Sequence, residues 1–171
     1  MTTNPAPVRD KVIVIGCPGA GKSTFSRKLR AATGLPLHHL DMIFHRPDKT
    51  TISQEQFDQK LQVLLAGERW IVDGNYWRTL PLRLAAAEQV FFFDLPLATC
   101  LAGAEKRVGA PRGDLPWVEE EMDPAFRQSI VDFPREQLPK IKSLLAAHAS
   151  TKTIIVFKSH AEADGFLAGL G

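Results

Sequence analysis

The chain has 171 residues, 44% of them hydrophobic, with two cysteines and a formal net charge of +2. That length and apolar content suit one domain with a buried core. The near-balanced charge offers no broad basic face for nucleic acid as the main ligand, no apolar run is long enough to span a membrane, and two cysteines make no disulfide framework; a cytoplasmic protein is expected.

Residues 1–10 carry Pro5 and Pro7 and no apolar run, so they read as a loose arm, neither signal peptide nor anchor. Val12 to Ile15 is a short apolar run suited to a strand buried on both faces. It leads directly into Gly16-Cys17-Pro18-Gly19-Ala20-Gly21-Lys22-Ser23-Thr24, a complete G-x-x-x-x-G-K-[ST] phosphate-binding loop with a helix after it. The glycines let backbone N–H groups turn inward around an anion, and Lys22 adds a mobile cation. Ser23 supplies a hydroxyl suited to Mg²⁺, and the helix that opens there points its positive end at the same phosphates. Residues 16–24 are therefore expected to bind ATP with Mg²⁺, Cys17 serving as a loop-filling residue.

The first helix, with Phe25 and Leu29 four apart, runs to Thr33 and closes at Gly34. Leu35 to Asp41 reads as a second strand ending in a carboxylate, which puts Asp41 at a strand's C-terminal edge, where open α/β sheets place ligands. Residues 42–52 read as a loop, with Phe44 beside the site. Ser53 to Gln56 is a capping box for a helix that uses Phe57, Leu61, Leu64 and Leu65. His38, His39 and His45 have no cysteine beside them and no inward i, i+4 pairing, so a metal site is not expected there.

Trp70 to Asp73 repeats the pattern of apolar run and terminal carboxylate, and Asp73 is expected to meet Mg²⁺ through water. Gly74 and Asn75 follow, then Tyr76 and Trp77, which either stack on a substrate ring or cover the sheet edge. Arg78 and Arg83 are candidates to hold an acceptor anion. Gln89 to Phe93 is the most apolar strand, and Asp94 reads as the cap of the next helix. That helix, Thr99 to Val108, ends in Lys106 and Arg107, and Arg107 is placed to flank phosphates or a base. Gly109 to Asp114 is rich in breakers and reads as a hinge; the helical stretch from Trp117 to Pro134 reads as a small lid, with Arg127 and Arg135 reaching the transferred phosphoryl group. A helix over 137–148, a strand from Thr153 to Phe157 and a helix opening at Ser159 complete the chain, Ser159 lying in a loop that offers backbone contacts to a base.

Five apolar strands alternating with helices, the first feeding a P-loop, predict an α/β fold of the P-loop NTPase type: a doubly wound parallel sheet with helices on both faces. The segments Gly16–Thr24, His39-Leu40-Asp41, 70–76, Phe93-Asp94-Leu95-Pro96 and Phe133-Pro134-Arg135 resemble the adenylate-kinase-related family of DNA topology modulation proteins, similar in turn to nucleoside monophosphate kinases. The resemblance implies the strand order 2-3-1-4-5 in a single domain over 1–171, an acceptor flap over 42–66 and a lid over 109–135. Asp73-Gly74 resembles the opening of the acceptor loop in adenylate kinases. Those enzymes continue with an aromatic residue, a proline and an arginine, whereas this chain has Asn75-Tyr76-Trp77-Arg78; the departure argues against adenylate as acceptor.

The expected activity is Mg²⁺-dependent transfer of phosphoryl from ATP to a small-molecule acceptor. Lys22 would neutralise the β- and γ-phosphates, Asp41 or Asp73 would orient an acceptor hydroxyl or metal-bound water, and the lid arginines would meet developing charge. The alternative is a nucleotide-switched regulator that acts on DNA topology or a protein partner without turning over a metabolite.

Overall fold

The structure, a computed structural model, describes residues 6–171; the part of the expected arm at 1–5 lies outside them. Five strands form one sheet: β1 (Lys11–Gly16), β2 (Leu37–His39), β3 (Trp70–Asp73), β4 (Gln89–Phe93) and β5 (Thr153–Phe157). Their order is β2-β3-β1-β4-β5 and every pairing is parallel. The P-loop strand is thus central, and its Val12 pairs with Ile71 on one side and Gln89 on the other. Val12, Ile13, Val14 and Ile15 are fully buried, as a strand covered by helices on both faces must be.

Among the described residues eight α-helices connect and cover the strands: α1 (Lys22–Thr33), α2 (Leu40–Phe44), α3 (Gln54–Leu65), α4 (Leu80–Ala86), α5 (Leu97–Glu105), α6 (Pro124–Glu136), α7 (Leu138–His148) and α8 (His160–Ala168). On one face Phe25 of α1 meets Phe91, Phe93 and Phe157 at ring-centroid distances of 5.0, 5.3 and 5.3 Å, and Phe166 of α8 closes the cluster 5.0 Å from Phe91. Each buried phenylalanine contributes about 1.5–3 kcal/mol by leaving water. The cluster ties α1 and α8 to the sheet beneath the P-loop. The capping box forms as expected, Ser53 accepting from Gln56 N–H and Gln56 reaching back to Ser53 N–H.

Four local expectations differ from the structure. The second strand is only Leu37–His39, and Asp41 sits in the first turn of α2, where a carboxylate faces the positive end of the helix. The expected loop at 42–52 is therefore helical to Phe44, then turns back so that His45 bridges Thr51, with Lys49 at φ 68° and Asp48 accepting from Thr50 N–H. Asp94 caps no helix. Pro96 occupies that position, and Asp94 instead receives Lys158 and, at 3.1 Å, Lys142. The expected helix from Trp117 starts only at Pro124, where Asp123 accepts from Ala125 N–H.

Candidate active site

The loop after β1 is shaped by contacts that exclude side chains. A Cβ on Gly19, whose φ is 83°, would lie 2.0 Å from the Cys100 carbonyl oxygen, and one on Gly103 would lie 2.0 Å from that of Gly19. The loop thus rests on the backbone of α5. From the other side, His160 of α8 places Nε2 3.0 Å from the Ala20 carbonyl. Cys17 is buried against Cys100, and that contact together with burial raises its thiol pKa, so Cys17 is a packing residue and not a nucleophile. Lys22 is 7% exposed and donates to the Cys17 carbonyl at 3.0 Å. Burial lowers its pKa, and the Asp73 carboxylate opposes that shift.

Three chain segments converge on the Ser23 hydroxyl. Asp73, at the end of β3 and paired with Val14 of β1, places Oδ2 2.9 Å away; Asp114 places Oδ2 2.6 Å away. His39 Nδ1 lies 2.8 Å from the same Asp73 oxygen. Burial pushes the Asp114 carboxyl up, but the Ser23 hydrogen bond and the charges of Arg112, Arg107 and His39 outweigh it and hold its pKa below the usual carboxylate range. One hydroxyl proton cannot serve two carboxylates at once, so the cluster favours a cation. No group of three or more His, Cys, Asp or Glu side chains suited to a metal occurs among the described residues. Two carboxylates and a hydroxyl are nonetheless a donor set that fits Mg²⁺, a hard cation that keeps several of its waters.

Two cavities flank the loop. The larger, about 720 Å³, lies against Gly19, Gly21, Thr24, Ala102, Gly103 and His160, between α1, α5 and α8. The second, about 360 Å³, is bordered by Pro18, Lys22, Ser23, Asp41, Asp73, Gly74, Asn75 and Tyr76. Arg107 lines both. In the second cavity the Tyr76 hydroxyl donates to Asp41 Oδ1 at 2.6 Å, and His45 Nε2 lies 4.0 Å from the same atom. Burial, then the Asp41 charge and hydrogen bond, raise the phenol well above its usual value, so it remains a donor. Tyr76 takes a left-handed backbone, φ 37°, and Asn75 Oδ1 accepts from Gly16 N–H at 3.2 Å, which ties this turn to the P-loop.

Other expected site residues stand elsewhere. Arg83 is fully buried and donates to the Gly74, Asn75 and Tyr76 carbonyls, so it holds the turn from behind and no acceptor anion reaches it. Burial lowers its pKa to about 10, which leaves it cationic at neutral pH. Arg78 pairs with Asp58 on the surface at 2.6 Å. Phe44 packs on Phe57 and Tyr76, each 5.5 Å away, as part of the flank of the fold. Arg127 lies on the exposed side of α6, and Arg135, 77% exposed, faces Asp132 and Glu136; neither lines the two cavities. Ser159 caps α8 by accepting from Glu162 N–H, and its neighbour His160 is the residue that meets the loop. The arginine that does enter the second cavity beside Arg107 is Arg112, paired with Asp114 and Glu119 at 3.2 Å each. Asp114, Arg112 and His39 are the residues the sequence reading missed: the first two lie in a breaker-rich segment without periodicity, and His39 had no partner visible nearby in sequence.

No protein-family model matches the chain, and no curated protein matches it. Solved structures do. A gluconokinase from Sinorhizobium meliloti 1021 aligns over 94% of this chain and 91% of its own at 16% identity, with a TM-score of 0.52. A shikimate kinase from Bacteroides thetaiotaomicron aligns over 93% and 94% at 12% identity, TM-score 0.56. A sugar kinase from Janibacter sp. HTCC2649 aligns over 95% and 91% at 19% identity, TM-score 0.54. At these identities the likeness establishes a shared fold, that of P-loop small-molecule kinases. Among the described residues no helix is long and apolar enough to cross a membrane.

Proposed function

We propose that the chain is a Mg²⁺-dependent phosphotransferase that moves the γ-phosphoryl group of ATP to the hydroxyl of a small molecule in the cytoplasm. One observation carries this reading: two cavities meet at a single P-loop and share Arg107, so a donor and an acceptor can be held on either side of the transferred group. The neighbours of like fold are named for kinase activities on small molecules, which supports it. The segment resemblance to adenylate-kinase-related proteins agrees with the donor half of the assignment.

The larger cavity would take the nucleoside part of ATP, the amides of 16–24 its phosphates, and Ser23, Asp73 and Asp114 the metal with its waters. Mg²⁺, when bound, would draw charge from the β- and γ-oxygens. Lys22 and Arg107 stabilise the charge that gathers on the equatorial oxygens in a loose transition state. Asp41, a cavity carboxylate engaged neither with Ser23 nor with an arginine, orients the attacking hydroxyl and receives its proton. The hydroxyl oxygen bonds to the γ-phosphorus as the bond from that phosphorus to the β–γ bridging oxygen breaks, and ADP leaves with the electron pair. Residues 42–66 and 109–135 border the second cavity through His45 and through Arg112, Asp114 and Trp117, and they are the proposed acceptor flap and lid. Arg112, held by Asp114 and Glu119, is the lid arginine that lines this cavity, where Arg127 and Arg135 do not.

Calorimetric titration tests the metal assignment. ATP should bind about tenfold more tightly with Mg²⁺ than without it, and Asp114→Asn should remove most of that difference while shifting the melting temperature little, because one charged ligand contact is worth about 1.5–3 kcal/mol. Affinity that is the same with and without Mg²⁺ in the unaltered protein contradicts it.

A further inference from the structure

The charges around the second cavity point to a class of acceptor. Five carboxylates line it, Asp41, Asp73, Asp114, Glu119 and Asp123, against three lysine and arginine side chains, Lys22, Arg107 and Arg112. Arg112 is committed to Asp114 and Glu119. Lys22 lies in the P-loop, and Arg107 lies at the junction with the larger cavity, so the transferred phosphoryl group occupies both. The two other arginines that would serve an anionic acceptor are out of reach: Arg83 is spent on three backbone carbonyls behind the turn and Arg78 on Asp58. Among the described residues that line this cavity, no further lysine or arginine is left for the acceptor. What remains on that side are Asp41, 42% exposed, and Asp123, whose carboxylate caps α6 through one oxygen. Beside them stand the Tyr76 ring and Trp117, which meets His45 edge-on at 5.1 Å.

Resting on the kinase reading above, we infer that the acceptor is a small polyhydroxy compound without an anionic group, either neutral or bearing an amine. Carboxylates accept hydrogen bonds from hydroxyls and ammonium groups, and aromatic faces cover the C–H side of a sugar-like ring. An acceptor phosphate or carboxylate would meet Asp41 and Asp123 with like charge, and the guanidinium groups in the cavity are already taken, Arg112 by Asp114 and Glu119 and Arg107 by the transferred group. Nucleoside monophosphates, aldonates and uronates are thereby rejected as a class.

The test is a matched panel with the unaltered full chain, ATP and Mg²⁺. Neutral sugars and polyols, the corresponding amino sugars, the corresponding aldonates and uronates, and nucleoside monophosphates are scored by mass spectrometry for phosphorylated product. The expected result is product from neutral or amino members with kcat/KM about 100-fold above that of any anionic counterpart. An anionic member as the best substrate, or no phosphorylated member at all, overturns the inference. A parallel titration with MgATP alone keeps the two claims apart. Binding of MgATP together with phosphorylation of an anion leaves the kinase reading standing and removes the acceptor class, whereas failure to bind MgATP removes the kinase reading itself.

Discussion

Replacing Lys22 by alanine should lower the rate of phosphoryl transfer by about 10²- to 10³-fold, the usual effect of deleting one preorganised donor aimed at developing charge. The side chain is 7% exposed and rests on the Cys17 carbonyl at 3.0 Å, so little solvent stands between its ammonium group and a phosphate in the loop. Burial already lowers its pKa; that is a cost to the folded protein, which only an anionic partner offsets. Removing the charge should therefore leave the melting temperature unchanged or slightly raised while activity collapses. Lys22→Arg should not restore the rate, because a planar fork does not fit where a compact ammonium sits beneath a tight loop. Steady-state kinetics beside thermal melts decide the matter: a variant that melts normally and keeps its turnover shows that Lys22 does not meet the transferred group.

Arg83→Met should cost about 3–5 kcal/mol of stability, measured by urea denaturation. The guanidinium is fully buried and donates to the carbonyls of Gly74, Asn75 and Tyr76. Methionine fills part of the volume but leaves the Gly74 and Asn75 carbonyls without donors, while Tyr76 keeps the Thr79 N–H and hydroxyl, and hydrogen bonds from a charged group contribute about 1.5–3 kcal/mol each before any relaxation. The turn it holds carries Asn75 to Gly16 N–H and Tyr76 to Asp41, so loss of order there should also raise the acceptor KM. A loss under about 1 kcal/mol contradicts this account of Arg83, since a fully buried guanidinium that satisfies otherwise unpaired carbonyls cannot be that cheap to remove.

The comparison between sequence and structure follows the range of the forces involved. The P-loop, the glycine stop at Gly34 and the Ser53 capping box were legible because each is decided within a few residues by backbone freedom and local hydrogen bonds. The five strands were legible from apolar runs, and their order followed from the family resemblance. Arg83 was taken for a ligand-binding arginine because nothing in Leu80 to Ala86 announces that its charge turns inward; only the left-handed Tyr76 turn, folded back over α4, supplies the carbonyls. Asp94 looked like a helix cap for the same reason: its partners, Lys142 and Lys158, are 48 and 64 residues downstream. Asp114 and Arg112 sit in a stretch of glycine and proline that carries no period, and their role shows only once Ser23 stands beside them. Asp41 lines the second cavity, and α2, not a strand end, delivers it there.

The most direct measurement follows the γ-phosphoryl group by ³¹P NMR in a mixture of the protein, ATP, Mg²⁺ and the acceptor panel, with duplex DNA in a parallel sample at two salt concentrations. The account predicts one ADP formed per new phosphate ester on a hydroxylated acceptor, loss of both signals with Lys22→Ala, and no effect of DNA on the rate. ATP that is bound but yields no ester with any acceptor, together with specific DNA binding that responds to ATP, would contradict it and establish a nucleotide-switched regulator in its place.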